Sequence, residues 1–230
     1  MIIPDLIKVF STLWWMGIII SIIVSFIILQ IAIRIPPDRR RLLMILLGLF
    51  MIFLEAFQQY YLIDLKLWNI KTSLPIHLCG IAGIIAGIIL IRPEQKSFEF
   101  LALMGTPGAL HALLTPQLNH GGTNFLIFEY YASHTGIILT PLFLAIVLGY
   151  RINENSWFSV FLICQVLLIF IGLSNYLIGS NYMYLSNQPL ANNPMIIGPW
   201  PWYILGFEIL GFIHIYIFYK FYRFMKPIQY

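Results

Sequence analysis

The sequence predicts an all-α protein: a polytopic membrane bundle of seven transmembrane helices. Its N-terminus is expected outside and its C-terminus in the cytoplasm, with a single domain over 1–230. Three observations carry this expectation. The chain is 60% hydrophobic and 10% charged, where a soluble domain carries about 25% charged residues. Its apolar residues gather into repeated runs close to the ~20 residues a helix needs to cross the hydrocarbon. Its basic residues fall mostly on alternate connections, as they do on the cytoplasmic side of a membrane protein.

The first span is expected at 13–33, ending at Arg34 and the Pro36-Pro37 pair. Lys8 precedes a long apolar stretch without a small-x-small cleavage site, so this is a retained span rather than a signal peptide. Further spans are expected at 42–62, 75–91, 98–114, 126–149, 157–178 and 200–219. Pro75 suits the first turn of the third, and Arg92-Pro93 closes it. The loop 179–199 is the longest connection. It carries Pro189, Pro194 and Pro199 and no charge, which makes it a candidate lid.

Charge sets the direction. Arg34, Arg39, Arg40, Arg41, Arg92, Lys96, Arg151, Lys220, Arg223 and Lys226 lie on one side; Lys8, Lys66 and Lys71 lie on the other. The ten stay inside. The net charge of +4 is therefore a topology signal and implies no nucleic acid. Tyr60, Tyr61, Trp68, Trp200, Trp202 and Tyr203 fall near the expected outer boundary, as an aromatic belt does. The two cysteines, Cys79 and Cys164, both sit in apolar segments, so no disulfide framework is implied.

Ionisable groups in lipid are costly, and each is a functional suspect. Glu55, Gln58 and Gln59 share one face of the second span by their i, i+3, i+4 spacing. His77 and Cys79 are near the outer end of the third span, His111 near that of the fourth, and Glu129 and His134 in the outer half of the fifth. Asn175 ends the sixth, Glu208 is near mid-depth in the seventh, and His214 lies deeper. The clustering points to a polar cavity open to the outside or the outer leaflet. The alternative is a set of interhelical hydrogen bonds holding the bundle together.

Cys79 heads a small-residue face of Ala82, Gly83, Ala86 and Gly87, where a cysteine is commonly an inert small hydrophobe. Its place at a helix N-terminus instead favours thiolate. His134 is expected at a similar depth, so a nucleophile–base pair is open to it. His77, about 200° round a regular helix from Cys79, is a poor direct partner. Glu55 and Glu129 are alternative groups to orient the base, and His111, Gln58, Gln59 and Asn175 are alternative oxyanion donors. Cys164, at the wrong depth, is expected in the core.

"LPIHLCGIAG" (74–83), "YYASHTGIIL" (130–139), "NYMYL" (181–185) and "GPWPWY" (198–203) resemble the YwaF-like bacterial integral membrane proteins, relatives of the eukaryotic transmembrane protein 164 group. The resemblance covers nearly the whole chain, and the histidine-leucine-cysteine stretch is its most specific part. It implies a lipid acyltransferase, or acyl hydrolase, with Cys79 as nucleophile and His134 as base. The substrate would be a membrane phospholipid or lysolipid, with Asn181 and Tyr182 placed near the pocket. No cofactor, metal or protein partner is expected, and the location is the cell membrane. Two other classes stay open. Midplane acids such as Glu55 and Glu208 suit a small-solute or ion-coupled transporter. Outward histidines suit a metal-dependent lipid hydrolase, although no HxxxH pair occurs.

Overall fold

The computed structural model describes residues 4–191 and 196–225. Helices occupy all seven expected segments: α1 (Thr12–Arg34), α2 (Pro37–Asp64), α3 (Leu78–Ile91), α4 (95–114), α5 (Asn124–Val147), α6 (Ser156–Ile178) and α7 (Trp202–Phe224). Helices α1, α2, α5, α6 and α7 are each long and apolar enough to cross a membrane. Helix α3 has 14 residues, about 21 Å at 1.5 Å per residue, against ~30 Å of hydrocarbon. Helix α4 is composite: Gln95–Phe100, a π-helical turn at Leu101–Gly105, then Thr106–Leu114. The Pro194 and Lys226 named above lie outside the described residues.

Local chemistry sets the boundaries. The Ser11 hydroxyl caps α1 by accepting from the Trp14 N–H, and Thr123 caps α5 by accepting from Leu126. Pro37 opens α2, where a missing N–H costs nothing. Gly179 ends α6 in the left-handed region, at φ +70°. The third helix corrects the sequence expectation, for it begins at Leu78 rather than Pro75. Residues 69–76 form turns instead, with Ser73 N bonded to Asn69 O and Ile76 N to Leu74 O, and His77 becomes the N-cap.

Cross-links show which loops share an end of the bundle. At one end, Arg41 donates to Ile91 O, Gln95 to Arg151 O, and Arg223 pairs with Glu154. Buried Glu99 accepts there from Gln95 and from the backbone and side-chain nitrogens of Asn153. The structure thus gathers the connections bearing Arg34, Arg40, Arg41, Arg92 and Arg151 on one side. At the other end β1 (Asp5–Leu6) pairs antiparallel with β2 (Gln117–Leu118), and Trp14 Nε1 donates to Leu114 O. The 3-10 turn Tyr182–Tyr184 belongs to this second end, where Tyr182 reaches Ile70 O.

Helix α5 is the most buried of the five long helices, and α1 buries only Trp14, Gly17 and Ala32. An apolar helix so exposed has a bilayer as its natural solvent. Between α2 and α3, Gly48 and Gly87 let the backbones meet. A Cβ on Gly48 would lie 2.6 Å from Gly87 O, and one on Gly87 would lie 2.7 Å from Ile52 Cγ1. Gly83, on the same small-residue helix, has nothing within 4 Å of a built Cβ. The small face of α3 therefore divides, with Gly87 packing on α2 and Gly83 facing a cavity.

Candidate functional site

That cavity, about 440 Å³, lies toward the end of the bundle opposite the basic loops. Its volume is within the ~300–1,000 Å³ range of small-molecule sites. Helices α2, α3, α4, α5 and α7 wall it, and the segment after α6 covers it through Met183, Tyr184, Leu185, Pro189 and Ala191. Five described residues of the candidate lid thus border the space.

Cys79 is the second residue of α3, half-buried, and lines the cavity. No side chain caps this helix. The first-turn N–H groups lack intrahelical acceptors, and they concentrate positive potential beside the thiol. The His77 side chain does not cap because it is engaged by the segment after α6: its Nδ1 accepts from Met183 N at 3.1 Å. A neutral His77 therefore carries its proton on Nε2 as a donor.

His134 lines the same cavity from α5. Its Nδ1 lies 2.6 Å from Tyr130 O. A carbonyl only accepts, so Nδ1 holds the proton and Nε2 is left bare, as a general base requires. The orienting group is thus a backbone carbonyl. The two carboxylates weighed for that task are engaged elsewhere: Glu129 accepts from Gln58 Nε2 at 2.8 Å, and Glu55 from Gln59 Nε2 at 3.0 Å. Trp68 Nε1 in turn donates to Gln59 Oε1. This row of α2 side chains ties α2 to α5 and to the loop before α3.

Two further imidazoles in the lining meet each other. His111 Nε2 and His214 Nε2 are 3.0 Å apart, and His214 Nδ1 donates to Leu210 O. The bare nitrogen of His214 is then the acceptor and His111 the donor. His214, expected apart from the outward cluster, meets it through this bond. All five histidines line the one cavity.

The chain matches the TMEM164 family over residues 8–219. It belongs to that family. The match covers the five candidate spans, apart from the last turns of α7, and every cavity residue named above. No curated protein and no solved structure matches the chain.

In this TMEM164-family protein, four residues expected near the pocket are placed elsewhere. Buried Asn175 donates to Tyr182 O and accepts from Ser180 Oγ and Tyr182 N, fastening the end of α6. Asn181 shapes the next turn by accepting from Ser186 N and Asn187 N. Tyr182 bridges Ile70 O and Leu74 N. Glu208 is bonded by Gln165 between α6 and α7. Each polar group finds its partner within the fold, and none lines the cavity. Cys164 packs against the main core.

Other residues escaped sequence reasoning. Tyr130 supplies the carbonyl that fixes His134, while its own hydroxyl donates to Ala112 O. Gln117 donates to Tyr184 Oη and Asn119 and accepts from Ala191 N, pinning the covering segment. The "YYASH" stretch carried a partial signal, because a residue four before a helical histidine presents its carbonyl to that histidine. Among the described residues, no group of three or more His, Cys, Asp or Glu comes together to hold a metal ion.

Proposed function

We propose that this TMEM164-family protein transfers fatty acyl groups between membrane lipids, with Cys79 as nucleophile and His134 as base. One observation carries the reading: a helix-start cysteine and a histidine with a bare Nε2 line one cavity among apolar helices. His134 Nε2 takes the thiol proton as the sulfur attacks an ester carbonyl of the donor lipid. The tetrahedral oxyanion is met by the free N–H groups at the start of α3 and by His77 Nε2–H. The ester C–O bond breaks, and the leaving lysolipid alkoxide takes the proton back from His134. A lysophospholipid hydroxyl, deprotonated by His134, then attacks the thioester and restores the thiol. Water in its place would make the reaction an acyl hydrolysis.

The same reading places the chain in the cell membrane with the cavity toward the outer leaflet. Its support is the gathering of basic connections at the opposite end, which the positive-inside tendency assigns to the cytoplasm.

Intact-mass analysis of the purified chain with donor phospholipid tests the chemistry. An adduct of one acyl group, released by hydroxylamine, is expected for the parent and not for Cys79→Ala. His134→Gln should slow its formation by about 10²–10⁴-fold, the usual worth of a general base. An adduct that persists in Cys79→Ala, or lipid profiles unchanged by either variant at equal expression, would end the proposal.

A further inference from the structure

Two histidines in the cavity wall, His111 and His214, have no part in the chemistry described so far. Their mutual bond fixes both protons. His214 Nδ1 donates to Leu210 O, so its Nε2 accepts from His111 Nε2–H at 3.0 Å. His111 therefore carries its one proton on Nε2, and its Nδ1 is bare. Among the described residues, that Nδ1 has no hydrogen-bond partner. The side-chain polar atoms closed off without a partner there are Tyr131 Oη, Arg151 Nη2, Ser156 Oγ and Tyr222 Oη. His111 Nδ1 is not one of them, and half-buried His111 lines the cavity, so this nitrogen opens on that space.

Such a nitrogen is a supported base. A proton arriving on Nδ1 makes an imidazolium, and its Nε2–H bond to neutral His214 becomes charge-assisted. The Leu210 carbonyl keeps His214 in the accepting form. Room lies beside the pair. Ile204, Phe207, Gly211 and His214 follow one face of α7 at i, i+3, i+7 and i+10, and all four line the cavity. A Cβ built on Gly211 meets nothing within 4 Å. The α4–α7 wall thus offers an apolar strip, open space and a bare base, while Cys79 and His134 come from α3 and α5.

We infer, resting on the acyl-transfer reading above, that the α4–α7 side of the cavity is the subsite of the acceptor lysophospholipid, with His111 Nδ1 in place of His134 as the base for its hydroxyl. The O–H bond breaks toward His111 Nδ1 as the oxygen bonds to the thioester carbonyl carbon. The carbon–sulfur bond then breaks, and the Cys79 thiolate takes the proton from the His111 imidazolium to restore the thiol. His214 is a positioning residue that steadies the charged ring. His134 serves the sulfur and the donor lipid.

The test separates the two half-reactions in the full chain. Cys79 is acylated from phosphatidylcholine, the acyl-enzyme is freed of donor, and chain-deuterated lysophosphatidylcholine is added. Intact mass reads loss of the adduct, and lipid mass spectrometry reads the deuterated diacyl product. His111→Gln should acylate at the parent rate and hand its acyl group to the lysolipid about 10²–10⁴-fold more slowly. His214→Phe should slow the hand-over about tenfold or more, as loss of a hydrogen bond to a charged group does. His214→Gln, which offers an amide oxygen to His111 Nε2–H, should recover most of that. Gly211→Leu, which occupies the open space, should raise the lysolipid concentration needed for half-maximal hand-over. Hydroxylamine brings its own nucleophile, so it should release the adduct equally from the parent and every variant. Hand-over at the parent rate in His111→Gln, or acylation and hand-over slowed alike, would overturn the inference. If His111→Gln fails to fold, Gly211→Leu decides by the same split. A parent that does not acylate sinks the transfer reading and this one with it, whereas a parent that acylates while His111→Gln hands over normally sinks this one alone.

Discussion

Two glycines one turn apart on α3 should respond to the same substitution with opposite sign. A Cβ on Gly83 meets nothing within 4 Å, whereas one on Gly87 lies 2.7 Å from Ile52 Cγ1 and 3.1 Å from Gly48 O. Alanine in place of a helical glycine gains about 0.5–1 kcal/mol from the backbone alone. Gly83→Ala should keep that gain. Gly87→Ala should lose it to overpacking, which costs roughly 1–3 kcal/mol. At roughly 2–4 °C per kcal/mol for a chain of this size, the melting temperatures in detergent should move apart, upward for Gly83 and downward for Gly87. Gly83→Leu extends the test to function, because its side chain enters the space that Cys79 and His134 line. Its fold should hold while acyl-enzyme formation falls by tenfold or more. If Gly83→Ala melts as low as Gly87→Ala, the division of the α3 face is misplaced. If Gly83→Leu acylates at the parent rate, the cavity is not where the reaction occurs.

Further outcomes follow from the same geometry. Asn175→Ala removes three hydrogen bonds at the end of α6. It should cost about 1–3 kcal/mol and speed proteolysis within 180–191, read by thermal melting and limited digestion. Burial holds the His120 imidazole below its ordinary value near 6.5, against a smaller opposing pull from the Thr72 backbone. A depressed folded value means its stabilisation is present above pH 6.5 and is lost as pH falls from there through the folded value. A melting series from pH 8 to 5 should therefore slope less steeply in His120→Asn than in the parent, and parallel slopes would remove His120 as the cause. In a Cys79→Ala, Cys164→Ala background, a membrane-impermeant thiol reagent on intact cells should label Tyr184→Cys and spare Arg92→Cys. The reverse pattern would invert the proposed orientation.

The seven helical segments were legible because lipid-facing helices are apolar all round, and length and composition mark them without tertiary information. The start of α3 was misread. Pro75 is compatible with a helix's first turn, but the bonds that Asn69 and Ser73 make draw the chain into turns as far as His77. Depth along separate spans brought eight site candidates to one cavity. It failed for Asn175 and Glu208, because depth does not say which way a side chain points or whether a nearby loop satisfies it, and the resemblance that put Asn181 and Tyr182 near the pocket did not show that they are bonded within the 69–76 and 181–187 turns. His214 was missed for the converse reason. It seemed isolated along its own helix, yet α7 packs it against His111.

The amino-acid order by itself determined that this chain lives in a bilayer, which connections carry positive charge, and that polar groups concentrate toward one end, since all of these follow from transfer free energies of single segments. Tertiary structure decided which of those polar groups share a space. It alone fixed the His134 tautomer through a backbone carbonyl, turned Gly83 to the cavity and Gly87 to α2, and left the Tyr131 hydroxyl without a partner among the described residues. These are properties of pairs of helices, and the angle at which one helix meets another is written in no single stretch of sequence.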